Sequence, residues 1–138
     1  MYSNVLVIPM REELTKLGFK ELRTPEEVDQ VFSNKSGTTL LVINSVCGCA
    51  AGNARPGVRL ALKHDVLPDN LNTVFAGQDR EATAQARSYI PNFPPSSPSI
   101  ALYKEGKLVD MVQRHQIEGR TPQEIAADLT KAFDTYCR

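Results

Sequence analysis

The seven residues from Thr38 to Asn44, TTLLVIN, form a continuously apolar, β-branched run. A strand that alternates in polarity can leave one face in water, but an uninterrupted run of this kind needs cover on both faces. That requirement points to an α/β design, with a small mixed β-sheet flanked by helices on both faces. At 138 residues the chain has the length of one domain with a single core. Cys47, Gly48 and Cys49 stand where the run ends, and AAGNARPGVRLALKH then reads as a helix. Two cysteines one residue apart at a strand-to-helix junction are what a functional reading has to explain.

Other elements follow from local chemistry. TPEE and TPQE each place a threonine N-cap, Thr24 and Thr121, before a proline at the first helical position and a glutamate at the third. Val28, Val31 and Phe32 make the apolar stripe of one helix. Ile125, Leu129, Ala132, Phe133 and Tyr136 make that of the other. REELTKLGF reads as a short helix stopped at Gly18. LNTVFAG reads as a second strand, with Asp79 as the cap of a helix over REATAQARSYI. The nine residues PNFPPSSPS form a loop, and SIALYKEGKLVDMVQRH reads as a hairpin turning at KEG. Pro56 is expected to kink the helix after the cysteines or delay its regular start.

Charge narrows the range of partners. Sixteen Lys and Arg balance sixteen Asp and Glu, so neither nucleic acid nor an anionic membrane is favoured. The opening MYSNVLVIPM is interrupted by Pro9 and followed, not preceded, by Arg11, which suits neither a signal peptide nor a spanning helix. Three cysteines, an odd number, argue against a secreted disulfide framework, and the expected location is cytoplasmic. There a close cysteine pair is more often catalytic or metal-binding than structural.

In a regular helix, residues two apart point to nearly opposite sides. Cys47 and Cys49 are therefore expected to bridge only if Gly48 is not helical, a freedom that glycine has. A bridge across one residue is a tight ring, more oxidising than a permanent staple and suited to exchange. Cys47 would face the free N–H groups of the helix start, which favour a thiolate. Cys49, one step further in, would be more enclosed and placed to resolve a mixed disulfide. A metal site would need more ligands. His64, His115 and Cys137 are the soft candidates and lack metal-binding spacing, so none is expected. His64 and His115 read as surface residues, and Cys137 as a packing residue at the end of the last helix.

The second half, SSPSIALYKEGKLVDMVQRHQIEGRTPQEIAADL, resembles the C-terminal half of thioredoxins: a cis-proline, a strand, a turn, another strand and a closing helix. NSVCGCAAG, VFAGQD and PPSSPSIAL, taken in order, resemble the bacilliredoxins, thioredoxin-like bacterial proteins with a CGC motif. The likeness covers the whole chain and implies one thioredoxin-like domain over residues 1–138, with a helical N-terminal extension over about 1–22. It implies thiol–disulfide exchange that removes bacillithiol, or a similar small thiol, from S-thiolated cytosolic proteins. By motif position Cys47 would attack, Cys49 would resolve, Gly48 would shape the active-site backbone, and Ser97 would precede a cis-Pro98 at the substrate site. No bound cofactor is implied; the small thiol is a co-substrate. Client proteins and the reductase system of the small thiol are the implied partners, with no nucleic acid or membrane. The chain departs from thioredoxin proper in having no C-x-x-C, no tryptophan before the first cysteine and no aspartate in TLLVIN. Three alternatives use the same pair: general disulfide isomerase or reductase activity, a thiol-based sensor, and a carrier of a soft ion such as copper(I).

Overall fold

The computed structural model describes residues 2–138, and the apolar run lies at the centre of its sheet. In chain order the elements are α1 (Asn4–Thr15), β1 (Lys20–Glu21), α2 (Pro25–Ser33), β2 (Thr38–Asn44), α3 (Arg55–Ala61), β3 (Asn70–Phe75), α4 (Arg80–Arg87), β4 (Ser99–Lys104), β5 (Lys107–Val112) and α5 (Pro122–Tyr136). The strands lie in the order β1-β3-β2-β4-β5. β1 and β2 run parallel to β3, whereas β4 is antiparallel to both β2 and β5.

Successive residues of β2 enter opposite cores, as a doubly covered strand must. Leu40 and Val42 pack with Val58, Ile125, Leu129 and Phe133 from α3 and α5. Leu41 and Ile43 pack with Val28, Phe32, Ala82 and Ala86 from α2 and α4. All four β2 side chains are essentially inaccessible. The layered α/β arrangement drawn from the sequence is the one observed. Gly57 lets α3 approach α5 closely, since a Cβ there would lie 2.8 Å from the Ile125 Cγ2 methyl.

Local signals hold with instructive exceptions. Thr121 and Glu124 form a complete capping box on α5. On α2 the Thr24 hydroxyl accepts from the Glu27 N–H, but the Glu27 carboxylate accepts from the N–H of Arg23. The hairpin turns through Glu105 and Gly106, both at positive φ, as a two-residue turn that matches strand twist. The first helix begins earlier than REELTKLGF indicates and runs through Pro9. The carbonyl that Pro9 leaves unpaired belongs to Val5, which is 82% exposed, so water can serve it. The N-terminal segment also contributes β1 to the sheet edge. Asp79 precedes α4 but does not cap it with its side chain. Its carboxylate is drawn instead to the buried Arg11 guanidinium, 2.7 Å away, which also pairs with Glu21.

Candidate active site

The sheet topology gathers the site. β2 ends at Asn44 and its residue Ile43 lies opposite Ser99, the first residue of antiparallel β4. Ile100 of β4 in turn lies opposite Val112, the last residue of β5. Cys47, Ser97–Pro98 and the turn after β5 therefore meet at one end of the sheet. The Ser97–Pro98 bond is cis, as the resemblance to thioredoxins implies.

Cys47 occupies the N-cap of the helix that follows. Its carbonyl accepts from the N–H groups of Ala50 (3.0 Å) and Ala51 (3.2 Å), and its Sγ accepts from the Cys49 N–H (3.4 Å). The Sγ atoms of Cys47 and Cys49 are 2.6 Å apart as free thiols. Gly48 and Cys49 already lie in the helix, so the sulfurs come close, unbridged, without a non-helical Gly48. The opposed-sides rule applies when both residues are helical. An N-cap residue stands half outside, so the Cys47 side chain folds back over the helix start. Gly48 thus does not use its special backbone freedom; a Cβ there would meet nothing within 4 Å, and the site is left open to an approaching disulfide. From Ala50 to Ala54 the helix is wound with π-type hydrogen bonds, and it becomes regular only at Arg55. Pro56, which lacks an N–H, sits just past this wide turn, so the regular helix does start late.

Both thiols are half-buried, but only Cys49 packs against the main core. The Cys47 thiol is held below the ordinary cysteine value, chiefly through its contact with the Cys49 thiol. The Cys49 N–H, the charge of Arg114 and the Ala50 N–H add to this against a partial burial penalty. Cys49 is pushed the other way by burial, by the same contact and by the charge on Cys47. The two environments thus separate the thiols in the sense expected from the helix start, with a neighbouring thiol as the largest contributor.

Two arginines that the sequence reading does not single out, Arg114 and Arg55, complete the site. Arg114 lies in a 3-10 turn after β5 and is exposed. Its Nη2 donates to Cys47 Sγ (3.3 Å) and its Nη1 to the Ser97 carbonyl (3.2 Å), and Nε pairs with Glu118. The turn is anchored by buried Ile117, and Asn53 of the π-wound segment donates to the Arg120 carbonyl further along the same loop. Beneath Cys47, buried Arg55 donates through Nη1 to Asn44 Oδ1 and to the Ser45 carbonyl, both at 2.9 Å. Ser45 Oγ then accepts from the Cys47 N–H (3.2 Å). Arg55 Nε lies 3.2 Å from Glu13 Oε2, an ion pair without hydrogen-bond alignment. Arg114 had a readable signal: an arginine following the last hairpin strand must arrive at the sheet end that carries Cys47. Arg55 had none, since one arginine in a helix pattern looks like any solvated one.

The remaining candidates lie elsewhere. Cys137 is the C-cap of α5 and packs against the core beside Thr38, at the start of β2. β2 runs seven residues from Thr38 to Asn44, which puts roughly 20 Å of strand between that end and the site. Burial pushes its thiol up. Cys137→Ser is therefore expected to keep exchange activity within about twofold and to lower stability by ~1 kcal/mol. A large activity loss in a folded Cys137→Ser protein would place that thiol in turnover. His64 is half-buried and its Nε2 pairs with Asp134 (2.9 Å), while His115 is exposed. Among the described residues no three His, Cys, Asp or Glu side chains converge as a metal cluster, and no helix is long and apolar enough to cross a membrane.

The sequence profile of the disulphide isomerase family matches residues 2–137. A bacilliredoxin from Koribacter versatilis is 54% identical over 99% of this chain and 94% of its own. One from Cytophaga hutchinsonii is 56% identical over 97% of this chain and 98% of its own. The chain belongs to the bacilliredoxin family. Among solved structures, Fasciola hepatica thioredoxin superposes with a TM-score of 0.58 at 16% identity, covering 86% of this chain and 99% of that one. A mutant thioredoxin from Halobacterium salinarum gives 0.57 at 17%, covering 86% and 89%. At that identity the likeness shows the fold, which is that of thioredoxin. A bacilliredoxin with this fold and a close thiol pair is a thiol–disulfide oxidoreductase.

Proposed function

We propose that this bacilliredoxin strips a small thiol from S-thiolated proteins in the cytoplasm, with Cys47 as nucleophile and Cys49 as resolving thiol. The observation that carries the reading is the surroundings of one sulfur: the Cys49 N–H and Arg114 donate to Cys47 Sγ, and the Cys49 thiol lies against it. Such a sulfur is shifted toward the thiolate, and the thiolate is the attacking species. It attacks the small-thiol sulfur of the mixed disulfide. A Cys47–small thiol disulfide forms, and the client leaves as a thiolate that takes a proton from water. Cys49 then attacks Cys47, releasing the small thiol and leaving a Cys47–Cys49 disulfide. A further small thiol and its reductase system return this to the dithiol. Bacillithiol is the small thiol that the family name suggests, used as co-substrate with no bound cofactor. Ser97 and Pro98, at the same sheet end, would border the client chain.

Recovery of Cys49→Ala from its native cells tests the reading. Its Cys47 is expected to carry a small-thiol adduct whose mass identifies the thiol. Protein recovered without adduct and with stoichiometric metal on the cysteine pair, after purification free of chelators, would instead support soft-ion binding. The description of the family profile favours protein disulfide isomerisation as a second reading. That activity would appear as exchange among clients that carry no small thiol.

A further inference from the structure

Arg87, the last residue of α4, carries a guanidinium that the fold leaves almost without partners. Its Nε is buried with no hydrogen bond, and among the described residues no carboxylate pairs with it. Nη2 has one long contact, 3.5 Å to the Ser96 carbonyl, and that oxygen already accepts from the Ser99 hydroxyl at 3.0 Å. A cation at a helix end gains from the helix dipole, but a solvated side chain would gain this without giving up water. Here burial works against the charge and nothing offsets it. The guanidinium lines a small cavity of about 40 Å³ under the proline loop, whose other walls include Ile43, Ile90, Phe93 and Met111. An apolar cavity with one unpaired cation suits a short aliphatic stem that ends in a carboxylate. Its place ties it to the reaction. Ile43 and Ser99 face each other across the sheet end that carries Cys47. A single guanidinium, that of Arg114, reaches both Cys47 Sγ and the Ser97 carbonyl, and Ser96 is the next residue back. An extended client held at Cys47 would therefore cross the cavity roughly two to four residues from its thiolated cysteine. We propose that Arg87 and this cavity form a subsite for an aspartate or glutamate of the client at that spacing. The proposal rests on the de-thiolation reading above and adds a class of client, segments with an acidic residue close to the modified cysteine.

The test uses short peptides whose cysteine is thiolated with 2-mercaptoethanol, so that the small thiol carries no charge. Glutamate or glutamine is placed singly at two, three or four residues on either side of that cysteine. The contact forms as the client docks, before or with the attack by Cys47. The second-order rate constant of first peptide release, with enzyme in excess, therefore reads it. In the wild type, glutamate should be favoured over glutamine at one of these positions by about fivefold, the scale of one half-exposed charge-assisted pair. Arg87→Met should bring that ratio to about one, Arg87→Lys should keep part of it, and added salt should shrink it. Each ratio is taken within one enzyme, so a general slowing from a loosened proline loop cancels. No glutamate preference at any position, or one that survives in Arg87→Met, would overturn the proposal while leaving de-thiolation intact. Release of none of the peptides by the wild type would overturn de-thiolation, and the acidic-client reading with it.

Discussion

Cys47→Ser is expected to reduce exchange by more than about 10³-fold, because a hydroxyl in the same place has no accessible anion near neutral pH. Cys49→Ser should behave differently. It should attack a thiolated protein once, release the client and remain as a stable Cys47–small thiol adduct, visible by mass spectrometry in stoichiometric yield. Full turnover by Cys49→Ser with excess small thiol would show a monothiol cycle in which Cys49 is not needed. The pH dependence of alkylation separates the thiols further. Cys47 is lowered first by the Cys49 thiol, so it should stay reactive at a pH where an ordinary cysteine is protonated. Its alkylation midpoint should be lowest in the wild type, higher in Cys49→Ser, whose hydroxyl can still donate, and highest in Cys49→Ala. In Cys47→Ser, burial should keep Cys49 slow at neutral pH. Faster alkylation of Cys49 than of Cys47 would reverse the assignment.

Arg55→Ala is expected to lower stability by about 2–4 kcal/mol, since it strips the donor from two oxygens in the turn under Cys47 and leaves a void. The loss should come from the Ser45 carbonyl more than from Asn44 Oδ1, which keeps the Ser45 N–H at 2.9 Å. Arg55→Lys supplies one donor without the fork and should recover part of the loss. Urea midpoints measure both variants. A change below about 1 kcal/mol for Arg55→Ala would mean that the turn is held by its own hydrogen bonds. In a folded Arg55→Ala protein the Cys47 N–H loses a fixed Ser45, so alkylation of Cys47 should also slow.

Periodicity and backbone chemistry made much of this architecture legible. TTLLVIN demanded cover on both faces and has it, and TPQE marked the start of α5 to the residue. KEG marked the hairpin, while the cis-proline before β4 was implied only by the resemblance to thioredoxins. Hidden from local reading was everything decided between distant segments. Asp79 looks like a cap until Arg11, 68 residues earlier, competes for its carboxylate. Gly48 looks like a conformational exception until Cys47 is found at the N-cap. The site followed the same division. The CGC pair announces its chemistry by spacing, whereas the two arginines matter only because the sheet order brings one to the sulfur and the helix packing buries the other beneath it.

The placement of these groups across the sheet has a dynamic consequence. Cys47 is carried by β2, which is hydrogen-bonded along both edges and packed on both faces. Its amides should exchange with solvent only through global opening. Arg114 follows the outermost strand, in an exposed 3-10 turn held by Ile117 at its far end, where opening should be more local than in β2. The sulfur is thus a fixed point on the timescale of turnover, and the cation beside it belongs to a segment that can yield and return without disturbing it.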